Sequence, residues 1–335
     1  MNKLLPEWHP QWGVMIAWPH HDTDWVEILH DAEATYRALA CAILSCENLL
    51  VLCRDDNHEK HIREQLTQAG ANLANLHTQQ RAYNDTWARD FGPITIHRDQ
   101  QPVLLDFTFN GWGGKFLADS DNAVTQSLPW KAPVETVDII LEGGSIEIND
   151  SGLLLTTSAC LLNTNRNAAL SQTDIETLLR EKFGVRDFLW LHHGDLEGDD
   201  TDAHIDTLAR FCDDSTIAYV QCTDEADSHF ADLRAMESEL QQLATQHQLT
   251  LVPLPMADAA YDEDGNRLPA TYANFLIVNG AVLMPLYGTD KDALALSQAQ
   301  LAFPDKRIVG VPCLPLIHQH GNLHCVTMQL PEGVL

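Results

Sequence analysis

Hydrophobic and polar positions recur in a fixed order along the carboxy-terminal two thirds of the chain. Apolar runs at 146–148 and 153–157 flank the turn Asn149-Asp150-Ser151-Gly152, a pattern that predicts a hairpin. Residues 172–183 then carry apolar side chains at helical spacing. Ser171 opens that stretch with Asp174 three residues on, a pairing suited to a helix start. Residues 188–191 read as a strand. The order returns with strands at 207–212 and 216–222 about Asp213-Asp214. A helix over 227–248 follows, in which Phe230, Leu233, Met236, Leu240 and Leu243 stand three and four apart, and then a strand at 249–254. A third copy places strands at 275–278 and 282–286 about Asn279-Gly280, a helix near 291–302 and a strand at 307–311.

The unit starts 146, 207 and 275 lie 61 and 68 residues apart. The amino-terminal half accommodates two more units, with helices at 31–46 and 58–69, a strand at 48–52, and a hairpin of 93–97 and 102–107 around 98–101. A strand–strand–helix–strand unit repeated about five times predicts a closed, radial α/β arrangement, with an ordinary open α/β sheet as its rival. No Ser/Pro/Gly tract divides the chain, so one domain over 1–335 is expected.

Charge changes the picture next. Lys plus Arg total 20 against 48 Asp plus Glu, a formal net charge of −28. Such a field repels phosphate backbones and draws in small cations, although acidity also serves solubility alone. Nucleic acid is therefore not an expected partner. No apolar run is long enough to span a bilayer, so no membrane partner is expected either. The opening ten residues have no secretory pattern, and the eight cysteines form no C-x-x-C. Free thiols in a reducing cytoplasm follow as the expectation.

Polar clusters mark the starts and ends of the units. Residues 84–93 hold Asp85, Trp87, Arg89 and Asp90 just before a strand; the plain alternative is an ion pair of Arg89 with Asp85 or Asp90. Residues 194–206 carry six acids and His204. If the strand begins there, His204 and Asp206 share one face, a place for acid–base work or cation binding. Residues 316–327 surround Cys325 with His318, His320 and His324. Cys325 is the one cysteine in such a polar setting, where its neighbours favour a thiolate. His318 and His320 on a shared strand face would instead suit zinc with a carboxylate, but no second metal pattern accompanies them. Glu142 precedes a Gly-Gly turn, and residues 109–115 offer Trp112 to a pocket or the core.

Taken in order, these clusters resemble one family across the whole chain: the agmatine deiminases, grouped with bacterial-type peptidylarginine deiminases. The resemblance rests on Leu5-Pro6-Glu7-Trp8-His9-Pro10 with Ala17-Trp18-Pro19-His20, on Asp85-Thr86-Trp87-Ala88-Arg89-Asp90-Phe91-Gly92-Pro93, and on Leu141-Glu142-Gly143-Gly144-Ser145. It continues through Gly198-Asp199-Asp200-Thr201-Asp202 to His204-Ile205-Asp206, and ends in Gly321-Asn322-Leu323-His324-Cys325-Val326-Thr327. It implies a five-bladed α/β-propeller (pentein) with its active site near the axis. It also implies Cys325 as nucleophile, His204 as general acid/base, Asp90 and Asp206 as the carboxylates gripping a guanidinium, and Trp87 and Glu142 on the pocket wall. No cofactor and no metal is implied, and a homo-oligomer is left open.

The implied reaction is hydrolysis of agmatine to N-carbamoylputrescine and ammonia. Two carboxylates can hold a planar guanidinium in fork geometry, a thiolate can attack its carbon, and an imidazole can protonate departing ammonia and then activate water. The alternatives are a deiminase of free, modified or peptidyl arginine, a metal-dependent hydrolase using His318, His320 or His324, and a polyamine-binding protein without turnover. Two positions depart from the family pattern. Ala203 replaces a glycine before His204, a change suited to an extended backbone, and Gln319-His320-Gly321 replaces a glycine-rich stretch over the pocket. The chain is also short for the family, which implies trimmed peripheral loops.

Overall fold

The computed structural model describes residues 2–335. Five sheets make up the five blades of an α/β-propeller. In the second blade Ile94–Arg98 pairs antiparallel with Gln101–Thr108, which runs parallel to Val134–Ile140. Ile146–Ile148, Leu153–Thr157 and Asp187–Leu191 repeat that pattern. So do Ala209–Phe211, Thr216–Gln221 and Thr250–Pro255, and then Leu276–Val278, Ala281–Leu286 and Arg307–Pro312. The remaining blade is assembled from both chain ends. Met328–Pro331 pairs antiparallel with Gln11–Ala17, which leads in parallel to Asn48–Cys53 and Leu76–Gln80. The carboxy-terminal strand thus closes the ring.

Local chemistry accounts for the elements. Gln172–Phe183 starts at a reciprocal Ser171–Asp174 capping box and stops where Gly184 turns left-handed at φ 71°. A cap of this kind contributes about 1 kcal/mol. Asp99 and Gln100, both at positive φ, supply the two-residue turn between Ile94–Arg98 and Gln101–Thr108. Ala281–Leu286 is buried along almost its whole length, as a middle strand covered on both faces must be. Helices Leu29–Leu44, Gln172–Phe183, Phe230–His247 and Lys291–Ala302 carry the crossovers and bury an apolar stripe against the sheets.

Two local expectations change. The strand predicted from 207 begins only at Ala209, because Ile205–Thr207 forms a 3₁₀ turn. The Thr207 amide and hydroxyl both donate to the His204 carbonyl, at 3.2 and 2.8 Å, which winds the chain before it can extend. His204 and Asp206 therefore do not share a strand face. His318 caps the short helix Leu314–Ile317 and His320 has φ 63°, so these two also lie off any strand. All eight cysteines are free.

Candidate active site

In each blade one residue stands just ahead of the strand that pairs antiparallel with its neighbour in the repeat. Asp90 precedes Ile94–Arg98, Gly144 precedes Ile146–Ile148, Asp206 precedes Ala209–Phe211, Asn274 precedes Leu276–Val278 and Cys325 precedes Met328–Pro331. The geometry around Gly144 gives the convergence a scale. A Cβ there would lie 2.6 Å from His204 Nδ1, 3.0 Å from Asp90 Oδ1 and 3.1 Å from Asp206 Oδ2. Only glycine lets these three side chains meet. The 3₁₀ turn brings His204 and Asp206 together as a strand face would have, by another route.

Asp90 is gripped from two sides. Trp112 Nε1 donates to Oδ2 at 2.9 Å and the Gly144 amide to Oδ1 at 3.0 Å, while His204 Nδ1 stands 3.7 Å from Oδ1. Burial, reinforced by the negative charges of Asp206 and Glu142, pushes the Asp90 carboxyl well above the usual range. Asp206 goes the other way. Burial would raise it, but the His324 hydrogen bond at 2.7 Å, reinforced by the fields of His324 and Arg210, holds it below. Its Oδ1 and both ring nitrogens of His204 are buried without a hydrogen-bond partner in the protein. Burial also pushes His204 down to about 3, so its ring is neutral.

Cys325 donates its thiol to Asn274 Oδ1 at 3.4 Å, and the same oxygen accepts the His324 and Cys325 amides at 2.8 and 3.3 Å. Burial and the charges of Asp206 and Asp90 push the thiol well above its ordinary range. Cys325 therefore rests as a thiol, contrary to the thiolate that its histidine neighbours suggested. Arg89 pairs with neither Asp85 nor Asp90. It reaches Glu7 Oε2 at 3.8 Å and bonds Gln329, which leaves Asp90 free for the axis.

Cys325, Asp90 and Trp87 open on a cavity of about 460 Å³. Trp87 donates to Asp85 Oδ2 at 3.2 Å and packs so tightly beneath Gly321 that a Cβ there would meet its ring at 2.0 Å. Trp112 and Phe116 form further wall, and Asp22, Asp24, Asp85, Asp121 and Asp200 join Asp90 around the space. No lysine or arginine lines it among the described residues. Gln319 Nε2 donates to the Asp24 carbonyl at 2.8 Å, and His320 Nδ1 contacts the Gly198 carbonyl at 2.8 Å, so the departing segment 319–321 spans the mouth.

Glu142 is not on this wall. It is fully buried, with both oxygens taken by Arg166 Nε at 2.9 and 3.1 Å. Arg166 also bonds Asp202 at 2.5 Å and the Thr201 carbonyl at 2.8 Å, and Lys115 reaches Asp202 at 3.0 Å. This network anchors the loop that carries His204 and supports it from behind. Glu142, Cys160 and His204 form one group of clustered ligand types, and Glu7, Glu147 and His324 form another; His318 and His320 belong to neither. Arginines already occupy the carboxylates of both groups, Arg166 in the first and Arg210 in the second.

Asn274 and Arg166 went unmarked in the sequence. Asn274 stands in a plain apolar run, and its signal is positional: it precedes its blade as Asp206 precedes the one before. Arg166 lies in the loop between Leu153–Thr157 and Gln172–Phe183 with no local motif.

Comparisons with known proteins agree with this geometry. The model of the Porphyromonas-type peptidyl-arginine deiminase family matches residues 3–331. An agmatine deiminase from Pseudomonas aeruginosa (strain LESB58) is 31% identical over 357 aligned positions, covering 98% of this chain and 95% of the relative. That alignment is longer than the 335 residues of this chain, so the relative carries insertions that this chain lacks. A structure of a C. jejuni agmatine deiminase with substrate bound superposes at TM-score 0.94 with 38% identity, over 100% of this chain and 98% of that one. A candidate arginine deiminase from Porphyromonas gingivalis superposes at 0.92 with 47% identity, over 100% of both chains. The chain belongs to the Porphyromonas-type peptidyl-arginine deiminase family, which includes the agmatine deiminases.

Proposed function

We propose that this family member is an agmatine deiminase, a hydrolase that converts agmatine and water to N-carbamoylputrescine and ammonia. The observation that carries the choice of substrate is the cavity lining. Six aspartates and no lysine or arginine suit a dication, whereas the carboxylate of free arginine would enter among anions with no cation to meet it. The segment 319–321 across the mouth favours a small molecule over a peptide.

Asp90 and Asp206 hold the guanidinium, whose positive charge favours the ionised carboxylate, so Asp90 releases its proton to solvent as substrate binds and regains it when product leaves. The same positive charge offsets the two aspartates that keep Cys325 a thiol, so substrate activates its own nucleophile. Neutral His204 takes the Cys325 proton. The sulfur attacks the guanidinium carbon, and the protonated imidazole passes that proton to the departing ammonia, leaving an amidino-cysteine. His204 then removes a proton from water as hydroxide adds to the same carbon. The new hydroxyl loses its proton to solvent, the C=O forms as the C–S bond breaks to release the ureido product, and the protonated imidazole returns its proton to the Cys325 sulfur. Glu142 acts behind His204, and Trp87 walls the cavity. The catalytic unit spans 1–335 as one domain. No described helix is long and apolar enough to cross a membrane, and a cytoplasmic location fits eight free thiols.

The test is ammonia release from agmatine, from arginine and from an arginyl peptide, by chelator-treated protein and by Cys325→Ala. Turnover of agmatine alone, lost in a folded alanine variant, is the expected result. An active alanine variant would overturn the mechanism, and preference for arginine would overturn the substrate.

A further inference from the structure

Asp206 presents one oxygen to the axis and gives the other away. Its Oδ1 has no partner in the protein, while Oδ2 meets His324 Nδ1 at 2.7 Å. The other ring nitrogen, Nε2, meets Glu7 Oε2 at 2.6 Å. All three side chains are nearly or fully buried. The Glu7 carboxylate also accepts Arg210 at 2.6 Å and the Ile277 amide at 2.6 Å. Burial would raise Glu7, but Arg210, His324 and Arg89 overcome that and keep it ionised. Both ring nitrogens of His324 thus face carboxylate oxygens, an arrangement in which each can be satisfied by donating.

The surrounding charges say what this arrangement does. Three carboxylates, Asp206, Glu7 and Glu147, share this buried region with three cationic side chains, His324, Arg210 and Arg89. The arginines serve the other two carboxylates: Arg210 bonds both Glu7 and Glu147, and Arg89 faces Glu7. Among the described side chains, His324 alone hydrogen-bonds the Asp206 carboxylate, while Asn274 Nδ2 donates to the Asp206 backbone carbonyl at 3.2 Å. Removing its charge would leave the deficit on Asp206. The ring cannot swing away, since the His324 amide is tied to Asn274 Oδ1 at 2.8 Å and its Nε2 to Glu7.

We propose that His324 is a positioning residue for the reaction, a cationic strut between Asp206 and Glu7 that holds Asp206 as an aimed anion for the substrate's guanidinium. The inference rests on the proposed reading of Asp206 as a guanidinium ligand. It adds a role for a histidine that the sequence grouped with His318 and His320 only as a metal donor or a neighbour of the thiol. Because His324 is bonded to Cys325, a rival role exists, in which it merely props the nucleophile in place.

Two alkylating reagents of equal size separate these roles: 2-chloroacetamide, which is neutral, and 2-chloroacetamidine, which is cationic. With either, the Cys325 sulfur displaces chloride and forms a C–S bond, so turnover is not needed. The wild type should react with the amidine in marked preference to the amide. His324→Gln should lose roughly a hundredfold in the amidine rate, the scale of one lost charged hydrogen bond in a buried site, and keep its amide rate within about threefold. An amidine preference that survives in His324→Gln overturns the inference and leaves the deiminase reading standing. An equal fall with both reagents overturns it in favour of the propping role. A wild type without preference removes the cation grip itself, and the inference with it. Should the variant not fold, ring-nitrogen NMR of the wild type decides. Protons on both His324 nitrogens support the strut, and a single proton overturns it.

Discussion

Ala203 stands at φ 65°, directly before His204, where the sequence pattern suggested an extended chain. The left-handed backbone is one that glycine adopts without penalty, and magnitudes decide what this alanine costs. Left-handed geometry penalises a Cβ by about 1–2 kcal/mol, while burial of one methyl returns about 0.8 kcal/mol and glycine loses more chain entropy on folding. Ala203→Gly should therefore stay within about 1 kcal/mol of wild type in urea unfolding. Ala203→Val, β-branched at the same angle, should cost more than about 2 kcal/mol and lower kcat by shifting His204. A valine variant with wild-type kcat would show that the loop absorbs the strain. Asp85 and Asp121 support a second residue-scale prediction. Burial pushes them up to about 6 and about 7, so both are partly neutral in mildly acidic solution, although they face the cavity. A dication prefers them ionised. Agmatine binding to Cys325→Ala, followed by calorimetry, should tighten roughly tenfold from pH 5 to pH 7 with release of protons. Affinity independent of pH would place the distal ammonium elsewhere.

At the scale of elements, the repeat itself was legible and its irregular joints were not. The hairpin of Ile146–Ile148 with Leu153–Thr157 and the helices Gln172–Phe183 and Lys291–Ala302 follow from period and turn chemistry alone. The turn Ile205–Thr207 does not, because it depends on Thr207 bonding back to the His204 carbonyl, a contact that hydrophobic periodicity cannot report. Local motifs single out Cys325, His204, Asp90 and Asp206 as candidates, and the structure brings His204, Asp90 and Asp206 together around Gly144. Asn274 and Arg166 were missed because their partners are distant in sequence: Asn274 meets Cys325, and Arg166 meets Glu142 and Asp202. Arg166 joins the loop before His204 to the segment after Val134–Ile140 that carries Glu142, so Arg166→Met should leave the buried Glu142 without its partner and the half-buried Asp202 with only Lys115 and Asn165. The expected cost is about 3–5 kcal/mol in urea unfolding, with a loss of kcat. Adding Glu142→Gln should recover part of the stability but not the rate. Full recovery of both would reduce the network to charge balance.

For the whole molecule, the net charge of −28 and the buried acids push stability in the same direction with pH. Burial raises Glu47 and Asp121 to about 7 and Asp85 and Asp199 to about 6, all above the unfolded values near 4. The folded state therefore keeps protons that the unfolded chain releases. The stability this gives is complete below about pH 4 and is lost as pH rises through 6 to 7. Self-repulsion among ionised surface acids grows over the same interval. Glu7 and Asp206 oppose the trend only in acid. Their carboxylates are held below the unfolded range, so their contribution fades as pH falls beneath about 4. Stability should accordingly peak near pH 5 and decline toward pH 8, by roughly 5–10 °C in Tm. Salt should raise Tm at pH 8 more than at pH 5, because screening acts on the exposed charges and barely reaches the buried ones. Agmatine should raise Tm most at pH 8, where the cavity aspartates are ionised and unfolding must first release the dication. Thermal scans across pH, with and without salt and agmatine, measure all three. A Tm that is flat or rising from pH 5 to pH 8 would mean that the buried aspartates find compensation the fold does not display.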